Sequence, residues 1–225
     1  MKLWLTGTVN SPIASTNSMT PGISTNCAVF SGGESSPSIT IPYSSAISPV
    51  NSDGLTGAPF SCECWVRPAT AAVPSPISLV SMAGVATGGS YPNGSGWEFS
   101  EAGQPAAWQL TMRSQGGVVN LAAANAITPA QWNHLAVTWD GTAAKFYVDG
   151  VAAQSKAVPG YLAMPNYAGT IGAGPNTGGG NFDGAIAEVA FYTYALHPAT
   201  ISNHFALGQS ILSATAATTA SLTKP

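Results

Sequence analysis

Two stretches decide the fold of this chain: WNHLAVTWDG at residues 132–141 and KFYVDG at residues 145–150. Side chains alternate through Leu135, Val137 and Trp139, and again through Phe146 and Val148, with the period of two that β-strands show. Each stretch ends in Asp-Gly, and glycine accepts the positive φ that tight hairpin turns require. The pattern therefore predicts three antiparallel strands joined by two tight turns.

The composition favours a single large all-β domain with a weakly charged surface. The chain has 225 residues, of which 45% are hydrophobic and only 7% are charged, against a usual charged share of about 25%. The net charge is −3, and the six lysines and arginines form no basic patch, so we expect no nucleic-acid partner. A surface poor in charge suits contact with other protein chains or with the extracellular medium.

Targeting and membrane signals are not visible in the sequence. The first seven residues are followed by Asn, Ser, Pro and Thr and not by an apolar run of about 7–15 residues, so no secretory signal is predicted. No apolar segment reaches the length of about 20 residues that a membrane-spanning helix needs, so we expect no membrane insertion.

Further strands and one short helix follow from the same periodicity. The strands are predicted at residues 3–9, 27–31, 38–42, 60–67, 77–82, 95–100, 107–113, 117–122, 168–173 and 184–193. Pro198 favours the first turn of a helix from Ala199 to Leu207, which would place Ile201 and Phe205 on one face. We expect a single sandwich domain over residues 1–208 and a low-complexity arm, rich in Ala, Thr and Ser, over residues 209–225.

The chain has three cysteines, Cys27, Cys62 and Cys64. Cys62 and Cys64 lie two apart on a predicted strand, where the Cα separation of about 6.5 Å is near the upper limit for a disulfide. Free cysteine is among the most buried residue types, so we expect three free thiols in the core.

Several motifs, taken in order, resemble the laminin-G-like, concanavalin-A-like jelly-roll family. They are CAVFSG at 27–32, FSCECWVRP at 60–68, the hairpins at 132–150, FDGAIAEVAFY at 182–192, and Ala195-Leu196. The resemblance covers roughly residues 27–207 and implies an antiparallel two-sheet jelly-roll sandwich with about six or seven strands in each sheet. The family includes lectins, adhesion modules, carbohydrate-binding appendages, viral structural proteins and some glycosidases.

Carboxylate catalysis is not expected. Retaining glycosidases need two carboxyl groups about 5–5.5 Å apart, which alternate positions of one strand supply. None of the nine acidic residues lies two positions from another, and Glu98 and Glu101, three apart, would face opposite sides of a strand. Glu63 and Glu188 lie within strand motifs of the family, where a structural role is expected. We therefore predict no catalytic residue.

No metal or cofactor is predicted either. His134, His197 and His204 are scattered, and His134, in the most regular strand, is expected to be a buried structural residue. Relatives of the family that bind calcium carry an acid in the last strand, but Ala187 occupies that position here. Asp183 is the available substitute, although nothing in the sequence assigns it that role.

A sugar site would need aromatic side chains on an exposed face or loop. The candidates are Tyr91, Trp97 and Tyr167. The alternative for these residues is that Trp97 belongs to the core and that the two tyrosines pack within loops.

Two functions from different classes remain. The first is a non-enzymatic surface or interface module, most simply a phage virion structural protein that decorates a capsid or tail, with glycan adhesion as a further possibility. The second is a carbohydrate-binding or adhesion module from a larger secreted bacterial protein. The partners would be other protein chains of an assembly or surface glycans, and the location would be a virion surface or the extracellular space.

Overall fold

The chain folds as two antiparallel sheets packed face to face. The computed structural model describes residues 8–9, 15–17, 26–33, 38–70, 76–84, 94–164, 166–174 and 180–222. Predicted strand residues 3–7 therefore lie outside the described residues. With strands numbered along the chain, the eight-stranded sheet contains β1 (Thr8–Val9), β4 (Ile39–Ile41), β13 (Gly169–Ile171), β6 (Ile77–Gly84), β7 (Ser95–Ala102), β8 (Ala107–Ser114) and β9 (Gly117–Ala126) in spatial order, with β14 (Gly180–Asn181) parallel to β6.

The second sheet has seven strands, all antiparallel. In spatial order they are β12 (Val151–Ala157), β11 (Ala143–Val148), β10 (Asn133–Trp139), β5 (Phe60–Pro68), β15 (Asp183–Tyr192), β3 (Asn26–Ser31) and β2 (Ser15–Asn17). This arrangement confirms the predicted all-β, antiparallel two-sheet sandwich.

The two hairpins predicted from Asp-Gly are present between β10, β11 and β12. Asp149 has a φ of 52° and Gly150 a φ of 75°, which are the two positive values of a type I′ turn. At the other turn, the Asp140 carboxylate accepts hydrogen bonds from the backbone N–H groups of Thr142 and Ala143, both at 2.9 Å. The aspartates at these two positions therefore stabilise the turns.

The core lies between the sheets and is built from alternate residues of each strand. On β5, Phe60, Cys62, Cys64 and Val66 are buried in this core, as their spacing predicts. All three cysteines are free and buried, which confirms the prediction for the thiols. Burial raises the pKa of the Cys62 and Cys64 thiols well above the usual value, so neither is a reactive thiolate at neutral pH.

One side of the sandwich is bridged by side chains between the edge strands β9 and β12. The Ala122 backbone N–H donates to Gln154 Oε1 at 2.9 Å, and Lys156 Nζ donates to the Asn120 carbonyl oxygen at 2.6 Å. Two long polar side chains of β12 therefore bond to backbone groups of β9 and join the two sheets at this edge.

Among the described residues there is one helix, α1 (Pro198–Leu222), which packs on the outer surface of the seven-stranded sheet around Trp65 and Tyr192. Ile201 is fully buried there, and Phe205 stacks on Trp65 with ring centroids 5.8 Å apart, so the predicted apolar helix face is confirmed. The helix begins one residue earlier than predicted and continues past Leu207 to Leu222, through the segment expected to be an arm. The Ala-rich composition of that segment explains the extension, because alanine is the strongest helix former.

Candidate functional site

The outward side of strands β6 to β9 carries a group of polar side chains, which we call the polar face; Val118 and Ala122 of β9 lie on the same side. Strand pairing places these residues on the same side of the sheet, because directly paired residues of antiparallel neighbours share a face. The polar face consists of Ser78, Ser81, Glu98, Ser100, Gln109, Thr111, Arg113 and Asn120.

An ion pair lies near the centre of the polar face. Arg113 Nη2 donates to Glu98 Oε1 at 3.0 Å, and Ser78 Oγ donates to Glu98 Oε2 at 3.0 Å. The two charged side chains are 17% and 15% exposed, respectively, so each is mostly buried and keeps a small accessible part. Gly94 places its backbone against Arg113, where an added Cβ would lie 3.3 Å from the arginine Cδ.

A second hydrogen-bonded chain crosses β8 towards β9. Gln109 Nε2 donates to Thr111 Oγ1 at 3.1 Å, and Thr111 Oγ1 donates to Asn120 Oδ1 at 2.9 Å. Asn120 is exposed at the edge, whereas Thr111 is buried. The side chains of the polar face are therefore more deeply buried in the middle of the sheet than at the β9 edge.

Two polar atoms at this depth have no partner. Ser100 is only 2% exposed, and its Oγ is buried without a hydrogen bond, as is Arg113 Nη1. Buried polar groups are nearly always hydrogen-bonded, so these two unsatisfied atoms are exceptions within the polar face.

Trp97 does not belong to the polar face, so its assignment as a ligand-binding residue is wrong. It is 1% exposed and stacks on Phe60 inside the core, with ring centroids 5.7 Å apart. The cause is strand parity: Trp97 alternates with Glu98 and therefore points between the sheets. The core alternative is correct for this residue.

The two tyrosine candidates have different positions. Tyr167 is 64% exposed, just before β13, and the register places it at the end of the sheet where Arg113 lies. Three strand spacings separate β13 from β8, which is about 14 Å. Tyr167 thus lies near the same end of the sheet as Arg113 and remains a predicted ligand contact, whereas Tyr91 lies outside the described residues.

Glu101 points inward, on the opposite side of β7 from Glu98, as their spacing predicts. It pairs with Trp108, and its Oε1 is buried without a partner. Burial, and secondarily the charge of Asp183, raise the pKa of Glu101 from 4.5 to about 7. Glu98 and Glu101 therefore do not form a carboxylate pair on one face.

The outer surface of the seven-stranded sheet has a different polar cluster, centred on Glu63. Tyr192 Oη donates to Glu63 Oε1 at 2.5 Å, and His204 Nδ1 lies 3.0 Å from both carboxylate oxygens. His134 Nε2 lies 3.3 Å from Glu63 Oε2. We call these four residues the Glu63 cluster; it joins three strands to helix α1.

The Glu63 cluster holds its carboxylate ionised. Burial alone would raise the pKa of Glu63, but hydrogen bonds from His134, Tyr192 and His204 outweigh that effect and lower the pKa from 4.5 to about 2. The Glu63 side chain is 7% exposed and that of His134 is 1% exposed, so the cluster is closed to a substrate. It is a structural tie between sheet and helix.

Sequence reasoning placed Glu63 and His134 in structural roles but did not bring them together. His134, His204 and Glu63 are far apart in the chain, and the pairing of β5 with β10 and the docking of α1 bring them together. One signal was available: Glu63 shares a strand face with Ser61 and Trp65, so its side was not the main core.

The described parts of the chain contain neither a cluster of metal ligands nor a membrane-spanning helix. Within them, no group of three or more His, Cys, Asp or Glu side chains is arranged to hold a metal ion. Ala187, at the calcium-associated position of the family, is buried beneath α1 beside Trp65. No helix in the same residues is long and apolar enough to cross a bilayer.

The fold and the ordered motifs define a lectin-like jelly roll. Residues 38–202 match the model of the concanavalin A-like lectin/glucanases superfamily, and the chain belongs to that family. A comparison with curated proteins gives no match.

Solved structures with this fold include several binding domains. Domain 4 of AbnA, a GH43 extracellular arabinanase from Geobacillus stearothermophilus solved with arabinotriose, is 20% identical, with a TM-score of 0.59 and coverage of 88% of this chain and 86% of that one. The binding domain of Paraclostridial Mosquitocidal Protein 1 is 14% identical, with a TM-score of 0.64 and coverage of 88% and 47%.

A third similar structure is the ligand-binding domain of botulinum neurotoxin serotype D, solved with N-acetylneuraminic acid. It is 12% identical, with a TM-score of 0.61 and coverage of 88% of this chain and 45% of that one. The chain thus spans less than half the length of the two toxin domains. At these identities the likeness establishes the shared fold.

Proposed function

We propose that this chain is a non-enzymatic carbohydrate-binding module and that its ligand lies across the polar face. The observation that carries the proposal is the pair of unsatisfied buried atoms, Ser100 Oγ and Arg113 Nη1, within a surface of hydroxyl, amide and ion-pair groups. A sugar hydroxyl both donates and accepts hydrogen bonds, so it can complete such a network.

The same surface argues against hydrolysis. Glu98 is the only carboxylate that points outward from β6 to β9, and it is held by Arg113 and Ser78. Glycoside hydrolysis requires a second carboxyl group across the scissile bond, and Glu101 faces the opposite side. Within this proposal, the polar face binds a glycan and does not hydrolyse it.

The similar structures support a glycan ligand and an extracellular location. The arabinanase domain was solved with arabinotriose and the neurotoxin domain with N-acetylneuraminic acid. Within the proposal, Tyr167 supplies a stacking surface near the end of the sheet where Arg113 lies, since an exposed tyrosine ring packs on the apolar face of a sugar.

The test is a glycan array followed by calorimetry with the best ligand. Arg113→Ala should weaken binding at least about tenfold, the size expected when a charge-assisted hydrogen bond is lost. Lys145→Ala, on the outer side of the other sheet, is the control for a lost cation and should leave affinity unchanged. Unchanged affinity in Arg113→Ala, or equal loss in both variants, would place the ligand elsewhere.

Tyr194 is the matched control for Tyr167. Its side chain is 50% exposed, and it lies just after the end of β15, in the other sheet. Tyr167→Ala should lower affinity, and Tyr194→Ala should not. Equal affinities in the two variants would remove Tyr167 from the site.

A role in a larger assembly, such as a virion surface, is the second candidate. The observation that favours it is helix α1, which continues to Leu222 and exposes Leu207 on its free side. Removal of residues 213–225 should leave the sandwich folded but abolish association, measured by light scattering of the full chain and the truncated chain. A full-length chain that is monomeric at every concentration contradicts this second role.

A further inference from the structure

We infer that the polar face selects neutral sugars and rejects sugars that carry a carboxylate. This inference rests on the proposed function, which supplies the site but not the class of sugar. It follows from the ion pair at the centre of the face, where the charge of Glu98 cancels that of Arg113.

An unpaired arginine would favour an acidic ligand. The guanidinium group has a fork of N–H donors that matches a carboxylate, and this is how arginine recognises acidic groups. In this protein one arm of the fork, Nη2, is already bound to Glu98 Oε1 at 3.0 Å. A ligand carboxylate on Arg113 Nη1 would therefore lie beside the Glu98 carboxylate, and the two like charges repel across a surface that is only partly exposed to water.

Hydrogen-bond chemistry leads to the same selection. Arg113 only donates, and an ionised Glu98 only accepts, so a ligand that spans both groups must accept at one point and donate at the other. A sugar hydroxyl does both, whereas an ionised carboxylate can only accept. The hydroxyl of Ser100, also unpartnered, satisfies either requirement.

One further charge lies at the rim of this surface. Lys156 belongs to the other sheet, and its ammonium group donates to the Asn120 carbonyl oxygen at 2.6 Å. It lies at the β9 edge, about two strand spacings or about 10 Å from Glu98, and so makes no direct contact with the ion pair.

The experiment compares ligands that differ only in charge. Matched pairs are oligogalacturonides and sialyllactose, each as the free acid and as the methyl ester, titrated into the full chain by calorimetry. The wild-type protein should bind the neutral member of a pair at least about tenfold more tightly than the acidic member. Glu98→Gln keeps the shape and the hydrogen bond with Ser78 but frees the arginine charge, and it should reverse the preference or bring the ratio close to one.

Glu188→Gln, on β15 of the other sheet, makes the same change in net charge and should leave the wild-type preference intact. A wild-type protein that binds the acidic members as tightly as the neutral ones overturns the inference while the proposed function stands. A Glu98→Gln variant with an unchanged preference overturns it too. A folded chain that binds no glycan on the array, neutral or acidic, overturns the proposed function itself, and thermal melting of both variants confirms that the fold is retained.

Discussion

The two outward surfaces of this sandwich use the same chemical group in opposite ways. On the seven-stranded sheet, the Glu63 carboxylate has three hydrogen-bonding side chains around it, and helix α1 closes the surface. On the eight-stranded sheet, the Glu98 carboxylate has two partners, and atoms beside it remain unsatisfied. A polar group that is buried and fully paired stabilises the fold, whereas one in an incomplete network is available for recognition.

The two surfaces also differ in packing, because helix α1 lies very close to the seven-stranded sheet. Helix α1 comes so close to the sheet at Gly208 that an added Cβ would lie 2.2 Å from Trp65 Cζ2. Ser202 Oγ donates to the Gly150 carbonyl oxygen at 2.7 Å, which fixes the helix to the β11–β12 turn. The closed surface is therefore made by packing and hydrogen bonds together, and changes there should cost more stability than changes on the polar face.

The largest expected effect comes from removing the central carboxylate of the closed surface. Glu63→Ala leaves Tyr192, His134 and His204 without their common partner, and it should lower the free energy of unfolding by about 3–5 kcal/mol, measured by urea denaturation. Glu98→Ala on the polar face is the matched change; it leaves two side chains without a partner instead of three, and it should cost less, about 1–3 kcal/mol. Similar losses for the two variants would show that the two surfaces are not distinct.

The second effect is a loss of stability in acid. The pKa of Glu63 is lowered from 4.5 to about 2, so its stabilising contribution is complete above pH 4.5 and is lost as the pH falls towards 2. At about 1.4 kcal/mol for each pKa unit, the loss amounts to about 3 kcal/mol in urea titrations across this range. Glu63→Gln should flatten the curve there, and an equally steep curve in that variant would contradict the assignment.

Glu101 affects a separate pH window, with the opposite sign. Because its pKa is raised from 4.5 to about 7, the folded state binds its proton more tightly, and stability falls as the pH rises between those values. The two buried glutamates can thus be measured independently in one pH series.

A third, smaller effect concerns the fit of α1 against the sheet. Gly208→Ala would ordinarily stabilise a helix by about 1 kcal/mol, but the new methyl group meets the Trp65 ring and should instead lower the free energy of unfolding by about 1–3 kcal/mol. Leu207→Ala, at the exposed neighbouring position, should change it by less than about 0.5 kcal/mol. A stabilised Gly208→Ala protein would mean that the helix is not held at this distance.

The smallest effect on folding should come from the polar face. Ser100→Ala removes a buried hydroxyl that has no partner, so stability should stay constant or rise slightly, within about 0.5 kcal/mol of the wild-type value. A clear destabilisation by this variant, in the same urea titrations, would show that the hydroxyl is already satisfied in the free protein.

The sequence predicted most strands because alternation is local, and the hairpins at Asp140 and Asp149 follow from turn chemistry alone. It also placed Phe60 to Val66 on the correct sides of β5. The error at Trp97 arose because this alternation was not applied there. Alternation with Glu98 assigns the indole to the core, but Trp97 was chosen as a candidate because it follows a segment that contains Gly94 and Gly96.

Neither polar cluster could be predicted, because each depends on strands brought together by pairing. Glu98 meets Arg113 only through the β7–β8 register, and Glu63 meets His204 only after α1 docks. The end of the helix was also missed, since a sequence rich in Ala, Thr and Ser carries no stop signal before Leu222.

The bridge between β9 and β12 has a consequence for solubility. A strand at the edge of a sheet exposes unpaired backbone groups that can recruit another chain into a growing fibril. Gln154 occupies the Ala122 amide and Lys156 the Asn120 carbonyl, and the lysine also adds a charge that opposes stacking of identical copies. With only 7% of the residues charged, we expect these two side chains to hinder the pairing of this edge with another chain.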